Sequence, residues 1–276
     1  MFYDKIRFYD KIENSQKFYF HHDVITEDTG KYTREKHYHN LFEIYFITHG
    51  GCKYFIDNKS YMLIPGDIIL VPEGVIHNSE YSNTIHSRML INCSHKFIPP
   101  SVRPLLPSML HLYRNPSIID QATEIFNKIE EEYTSPDGFS EDALCSYTHM
   151  LFLLLARNLS SRTTTFTGNE CIEQAIEFLK INFASNISLP DMAHMFYMSS
   201  EHFSRLFKKE TGFNFSEYIN LLRLQKAESM IKKQHSLSIA EISEECGFND
   251  SNYFSLKFKK MYGISPKKLQ LEAKKQ

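Results

Sequence analysis

The segment HYHNLFEIYFITHG places His37 and His39 two residues apart, Glu43 four residues later, and Gly50 at the end of the run. A second cluster follows: Gly66 and Asp67, then Pro72, Gly74 and His77. In an extended strand, side chains two apart share a face, so His37 and His39 point the same way. Two or three imidazoles and a carboxylate can hold Mn, Fe or Ni in an octahedral site, or zinc. The same residues could instead line an effector pocket without metal, or serve only as barrel structure.

A different chemistry lies at the other end of the chain. FSRLFKKETG at 203–212 matches FSLKFKKMYG at 254–263, an offset of 51. Upstream, ISLPDMAHMF at 187–196 matches LSIAEISEEC at 237–246, an offset of 50. The extra residue falls between the matched blocks, where a turn tolerates it and a helix interior would not. Each copy reads as helix–turn–helix. Ser188, with Asp191 after it, and Ser238 are N-cap candidates for the first helices; Ser199 and Asp250 are candidates for the second. Gly212 and Gly263 stop the second helices. Those helices are basic on their outward side, with His202, Arg205, Lys208 and Lys209 in one and Lys257, Lys259 and Lys260 in the other. A cationic helix that fits a major groove can neutralise phosphate and reach base edges. Lysines near one helix C-terminus commonly just complement its dipole. Duplication of face, cap and stop points to DNA.

Elements must position these two chemistries. Short runs rich in Phe, Tyr, Ile and Val at 18–25, 41–48, 52–56, 60–64, 67–71 and 86–92 are separated by turn residues, as in an antiparallel barrel or sandwich. Ile118, Ala122, Ile125, Phe126, Ile129 and Tyr133 recur at helical spacing, as do Leu144, Tyr147, Leu151, Phe152 and Leu155, with Pro136 and Gly138 between the two sets. Residues 158–169 lack an apolar stripe and read as a linker. Beyond it, Tyr218, Leu221, Leu222, Leu224, Ala227 and Ile231 form one long amphipathic helix between the two copies. FYDKI occurs twice, at 2–6 and 8–12, a local duplication with no assigned role.

Composition narrows the class. The chain has 276 residues, 42% hydrophobic and 23% charged, with 22 Phe, 16 Tyr and no Trp. That is a globular balance with ample core material. The net charge of −2 hides an asymmetry: residues 1–168 carry 16 basic and 20 acidic side chains, residues 188–276 carry 14 and 10. The longest dense apolar run, MLFLLLA at 150–156, is far short of the ~20 residues that span a bilayer. The N-terminal segment is too charged for a signal peptide. Cys52, Cys93, Cys145, Cys171 and Cys246 are odd in number and form no CxxC, so they read as buried thiols in a cytoplasmic protein.

The C-terminal hundred residues resemble the DNA-binding domain of AraC/XylS-type transcription regulators. The shared pattern runs through Ile187-Ser188-Leu189, Asp191, Ala193, Met198-Ser199, Phe207-Lys208-Lys209, Gly212 and Glu217-Tyr218-Ile219. It continues through Arg223-Leu224, Ala227, Ile239, Ile242, Gly247-Phe248, Asp250, Tyr253-Phe254, Phe258-Lys259-Lys260, Gly263 and Ser265-Pro266. The resemblance implies recognition helices near 199–209 and 250–260, with base-facing Glu201, Ser204 and Arg205 in the first and Ser251, Asn252 and Ser255 in the second. Ser200, Lys208, Lys209, Lys257 and Lys259 complete the implied DNA-binding set. Leu256 replaces a frequent Arg, and Lys267 to Gln270 replace an aromatic-Arg ending, so fewer base and end contacts are expected there.

The histidine segments resemble the two cupin motifs, except that Tyr81 stands where an Asn usually follows the last His. In regulators of this type the barrel usually binds an effector. His37, His39, Glu43 and His77 are therefore expected to line an effector pocket with no cofactor and no tightly bound metal; if any metal binds, these four are its ligands. The resulting expectation is an α+β chain. A cupin-like antiparallel β-barrel spans 1–115 and a helical pair 116–158. A linker spans 159–169, and an all-α domain with two helix–turn–helix motifs spans 170–276. Its partners would be promoter DNA, a small-molecule effector such as a sugar, RNA polymerase if it activates, and a second copy of itself; no membrane is expected. The dimer surface is expected on the helical pair, because Leu151, Phe152, Leu154 and Leu155 wrap around their helix and should leave an exposed patch. The alternative is a cupin metalloenzyme, a dioxygenase or isomerase, with a DNA-binding tail.

Overall fold

A computed structural model describes residues 18–26, 32–33, 39–81, 85–109, 111–158, 169–234 and 236–274. His37, the FYDKI duplication and residues 159–168 of the expected linker lie outside them. Among the described residues nine strands form two antiparallel sheets: β1 (Phe18–Ile25), β2 (Tyr32–Thr33), β3 (Phe42–His49), β4 (Cys52–Ile56), β5 (Lys59–Leu63), β6 (Ile68–Val71), β7 (His77–Tyr81), β8 (His86–Cys93) and β9 (Leu112–Tyr113). The first sheet runs β1-β8-β3-β6-β9 and the second β2-β7-β4-β5.

Period-two alternation divides every long strand between two environments. In the first sheet Phe42, Ile44, Phe46, Ile68, Leu70, Met89 and Ile91 face outward and pack under helices α1 (Pro116–Thr134) and α2 (Ser140–Arg157). The alternate residues Tyr45, Ile47, Ile69, Val71 and Leu90 face inward and meet Cys52, Tyr54, Ile56, Tyr61, Leu63 and Tyr81 from the second sheet. The outer face of the second sheet carries Phe55 and Ile76, which join the core of the C-terminal domain. The first sheet is thus capped by α1 and α2 and the second by the C-terminal domain.

Three strands are absent from the sequence expectation. β2 and β9 are only two residues long. β7 reads HNSEY, with no apolar alternation, because its inward side is His77, Ser79 and Tyr81 and its outward side is Asn78 and Glu80. The expected dimer patch is also corrected. Leu151, Phe152 and Leu155 are fully buried between α1 and the first sheet, and Leu154 is half-buried against the same core. The sheet beneath α2 is broad enough to take most of its apolar circumference. The large apolar side chain that α2 leaves in water is Met150, at 53% exposure.

The C-terminal domain has seven helices among the described residues: α3 (Glu170–Asn182), α4 (Leu189–Met195), α5 (Ser200–Thr211), α6 (Phe215–Lys233), α7 (Ile239–Glu245), α8 (Ser251–Tyr262) and α9 (Pro266–Ala273). The caps fall where the repeat places them. Ser188 with Asp191, and Ser238 with Glu241, form capping boxes; Ser199 accepts from the His202 N–H, and Asp250 from Asn252 and Tyr253. Each cap satisfies a backbone donor that the first turn leaves without a partner. The extra residue of the second copy is Asn249, in the turn between α7 and α8, so neither helix face is rotated. Met198 N–H donates to Ala193 O and Phe248 N–H to Ser243 O, the same bond in both turns. At the matched turn position the copies differ: Tyr197 has φ +56 and Gly247 has φ +82. A left-handed Tyr is tolerated because its side chain is 97% exposed and meets no wall.

Gly247 has no such room. A Cβ there would lie 2.4 Å from Ala184 O, whereas one at Gly263 (φ +76) would meet nothing within 4 Å. Gly263→Ala should cost the left-handed penalty of about 1–2 kcal/mol. Gly247→Ala should cost about 1–3 kcal/mol more, for displacing the α3–α4 backbone. Urea unfolding followed by far-ultraviolet circular dichroism checks the order; equal losses would show that Ala184 gives way freely.

Candidate functional site

Helices α5 and α8 bury Phe203 and Phe207, and Phe254 and Phe258, in the domain core. At 3.6 residues per turn, Glu201, Ser204, Arg205 and Lys208 then form one outward stripe on α5. Glu201 is 82% and Arg205 72% exposed, and they pair only loosely, at 4.0 Å. Ser200 lies on the flank, half-buried. Lys209 has an exposed side chain, but its carbonyl accepts from Lys53 Nζ at 2.8 Å. On α8 the outward stripe gathers Ser251, Asn252, Ser255 and Lys259, with Leu256 beside them at 68% exposure. Lys257 departs from that stripe: its Nζ lies 5.1 Å from the Tyr253 ring centre, in a groove between α6 and α8 with Asn220, Leu221 and Lys260. The structure therefore groups ten of the eleven expected DNA contacts on or beside the two outward faces and sets Lys257 on another flank.

Inside the barrel, His39, Glu43 and His77 converge from the segment before β3, from β3, and from the start of β7. Their ligand atoms all lie within 4.8 Å of one another. The residues are 5%, 4% and 2% exposed. His39 Nδ1 is 2.8 Å from Leu41 O and its Nε2 is 3.1 Å from Glu43 Oε2; His77 Nδ1 is 2.8 Å from Val75 O and its Nε2 is 3.7 Å from the same oxygen. Tyr54 donates to Glu43 Oε1 at 2.9 Å, and Asn92 donates to Glu43 Oε2 at 3.1 Å. Burial by itself would raise the Glu43 pKa; the two histidines more than offset this and hold its carboxyl well below the usual carboxylate range.

A second polar cluster shares the interior. Arg88, 1% exposed, donates through Nε to Asp23 Oδ2 at 2.9 Å, and its guanidinium lies over the rings of Tyr45 and Tyr81. The hydroxyls of Tyr45 and Tyr81 bond each other, and Tyr81 stacks on His86 at 3.8 Å. Burial pushes the Cys52 thiol beside Tyr45 up to about 12, so it stays protonated. Tyr54, Arg88 and Asn92 escaped the sequence reading. A signal was present: β8 reads His86, Arg88, Leu90, Asn92 at alternate positions, and three polar side chains on the inward face of a buried strand mark a lined interior.

The wall between this interior and the recognition helices is a single sheet. Tyr54 and His77 face inward, while their neighbours Lys53, Phe55 and Asn78 face the C-terminal domain. Lys53 bonds Glu210 at 2.9 Å, Ser60 Oγ donates to Glu210 O at 2.8 Å, and Phe55 packs on Phe213 and Tyr218. Asn78 fills the space over Gly212, the left-handed cap of α5, where a Cβ would lie 2.3 Å from its Nδ2. Gln225 of α6 donates to Gly74 O at 2.8 Å, and Gly74 N–H donates to His39 O at 2.9 Å.

A buried, polar-lined antiparallel barrel joined to two exposed recognition helices defines a ligand-sensing DNA-binding regulator. Residues 20–153 match the AraC-like ligand binding domain, and residues 192–271 match the helix-turn-helix domain family. The chain belongs to the AraC-type transcription regulators. It is 25% identical over 243 residues to the HTH-type transcriptional activator RhaS of Escherichia coli (strain SE11), covering 85% of this chain and 87% of that one. Among solved structures it is similar to an apo ToxT variant from Vibrio cholerae, with 19% identity, 94% and 98% of the two chains covered, and a TM-score of 0.40. It is also similar to the C-terminal domain of the response regulator yesN from Fusobacterium nucleatum, with 31% identity, 37% and 99% covered, and a TM-score of 0.35. No helix among the described residues is long and apolar enough to cross a membrane.

The exposed stripe on α5 sets up a test of which side chains read bases and which meet phosphate. Arg205→Ala should cost about 1–3 kcal/mol and relax specificity at one base pair. Lys208→Ala or Lys259→Ala should weaken all sequences alike and flatten the log–log salt slope by about one. Gel-shift titrations across operator variants decide this; an equal loss for Arg205→Ala on every variant would remove its base-reading role.

Proposed function

We propose that this protein is a promoter-binding regulator in which an effector held among His39, Glu43, His77, Tyr54 and Arg88 changes how the second sheet seats α5 and α6. His37, expected from the sequence to line the same pocket, lies outside the described residues. The observation that carries the reading is the doubling of one capped, outward-facing recognition helix around the shared helix α6. The inward face of the barrel supplies a closed polar site, and the outward face of the same strands holds Glu210, Gly212 and Gln225. Occupancy would bias which docking of the two parts is populated, and so the affinity for DNA. The name of the relative RhaS supports activation, and hence contact with RNA polymerase. The proposed compartment is the cytoplasm. Leu256, exposed beside Asn252, offers an apolar contact for a thymine methyl.

Promoter binding is tested by fluorescence anisotropy with the DNA upstream of its own coding sequence. Specific binding should exceed binding to a shuffled duplex by about 10³-fold or more and fall steeply with salt. Equal affinity for both duplexes would refute the reading. A homodimer is proposed through the outer face of α2, where Met150 and Leu154 lie one turn apart, and not through Phe152 and Leu155, which the barrel core takes up. Met150→Glu with Leu154→Glu should give a folded monomer whose operator affinity drops by about 10²-fold or more. A wild type that is already monomeric on DNA by light scattering would overturn the dimer.

A further inference from the structure

We propose that Phe139 of one copy of this chain seats in the groove between α6 and α8 of a second copy, with the acidic residues around Phe139 set against Lys257 and Lys260. Phe139 occupies the N-cap position of α2, where a Ser, Thr, Asp or Asn side chain would accept from the first turn, and it makes no such bond. It is 78% exposed and takes no part in the apolar cores of the described residues. A large ring that neither caps nor packs breaks a local rule without a gain to its own chain, and such positions point to another surface.

The turn around Phe139 holds the ring out. Phe139 N–H donates to Asp137 Oδ1 at 2.8 Å, and Asp137 N–H donates to Ser140 Oγ at 2.8 Å. Ser140, 4% exposed, donates in turn to Glu132 Oε2 at 2.9 Å. A turn ordered in advance loses little conformational entropy when its ring docks. Its surroundings are acidic, with Glu132, Asp137, Glu141 and Asp142; Lys96 pairs with Glu141 and leaves the rim net negative.

The groove offers the opposite chemistry. Its floor is Leu221, Leu224 and Met261, and one wall is the Tyr253 ring, whose hydroxyl accepts from the Asn220 amide at 3.3 Å. Lys257 and Lys260 also line it, Lys260 exposed and Lys257 half-exposed, with Lys257 Nζ over Tyr253 at 5.1 Å from the ring centre. The Glu217 carboxylate, on the same lining, accepts from the Asn214 N–H at 3.0 Å and caps α6. A phenyl ring can pack on the apolar floor and meet Tyr253 edge to face, while carboxylates beside it face the two ammonium groups.

Ring and groove lie on opposite sides of one chain. Helices α1 and α2 cover the first sheet, the C-terminal domain packs on the second, and it packs there with its first helix–turn–helix copy and not with α8. The ring that fills the groove therefore comes from another copy. Because the two surfaces differ, the contact is head-to-tail and not symmetric. It is separate from the dimer proposed at Met150 and Leu154, which lie about three turns or more further along α2. On promoter DNA it would join copies bound in the same orientation. That consequence rests on the regulator reading; the contact itself does not.

The test uses the full-length chain carrying Met150→Glu and Leu154→Glu, which removes any α2 dimer. Self-association is read by sedimentation velocity up to about 100 µM, a range that covers small transient contacts. Reversible association is expected, weakened at least about 30-fold by Phe139→Ser or by Lys257→Glu with Lys260→Glu. Mixed in equal amounts, the Phe139→Ser chain and the Lys257→Glu/Lys260→Glu chain should form a one-to-one pair, because the intact groove of the first meets the intact ring of the second. Where the starting background fails to fold, the same mixture is made in the wild-type chain, since a symmetric surface cannot complement in this way. Phe139→Ser should also raise the melting temperature, because it adds a cap and removes no packing. A starting chain that stays monomeric throughout the range overturns the proposal, and so does a mixture that does not pair. A lowered melting temperature for Phe139→Ser would show that the ring serves its own fold, and would overturn it as well. If Lys257→Glu/Lys260→Glu weakens promoter binding and leaves association intact, those lysines serve DNA and the proposal fails.

Discussion

Everything in the N-terminal half depends on a sheet of four strands that works on both faces. Because successive side chains on a strand point opposite ways, a residue lining the barrel interior and a residue docked on the DNA-binding domain are separated by one peptide bond. Tyr54 holds Glu43 while Lys53 and Phe55 hold Glu210, Phe213 and Tyr218. His77 joins the buried triad while Asn78 covers Gly212. A displacement of either strand toward or away from the interior must be felt on the other side, since packed interiors transmit strain instead of absorbing it.

The interior itself is costly. Arg88, Glu43 and two histidines are polar or charged groups withdrawn from water, and burial of such groups stabilises nothing unless each is paired. They are paired, through Asp23 with Arg88, Tyr54 and Asn92 with Glu43, and backbone carbonyls with the imidazoles. An apolar filling of the same space would make a simpler core. The first sheet shows that this chain can build one, since its other face is Phe42, Ile44, Phe46 and Ile91 against α1 and α2. The contrast between the two faces of β3 supports the proposed ligand site on the inward one.

The C-terminal half obeys a different constraint. Helix α6 carries a copy of the same cap–helix–turn–helix unit on each side, and identical turn bonds at Met198 and Phe248 hold the recognition helices to their partners in the same way. The barrel contacts described above fall on the end of α5, the turn that follows it, and α6, all within or beside the first copy. The second copy, with its exposed Leu256 and Lys257 folded back along Tyr253, takes no part in those contacts. One recognition helix is therefore packed at its end against the sensor wall, and the other is positioned through α6.

The sequence by itself determined the helix–turn–helix repeat down to its caps, stops and turn insertion, because these depend on interactions within three or four residues: Ser188 with Asp191, Asp250 with the Asn252 N–H, a left-handed glycine at the end of α5 and α8. It also determined six of the strands, whose alternation is local. His39, Glu43 and His77 were legible as a set from their residue types and spacing. Tertiary structure decided the rest. Whether Phe152 and Leu155 face a partner or the chain's own sheet depends on how much apolar surface the barrel offers beneath α2, which no local pattern records. β7 was hidden because its pairing is rewarded only by the buried triad on one side and α5 on the other. Asn92 and Arg88 joined the buried polar lining only when the register set them opposite Glu43 and Asp23, and Tyr54 only when the second sheet packed over Glu43. Contacts between residues far apart in the chain are set by register and packing, and those are properties of the whole fold.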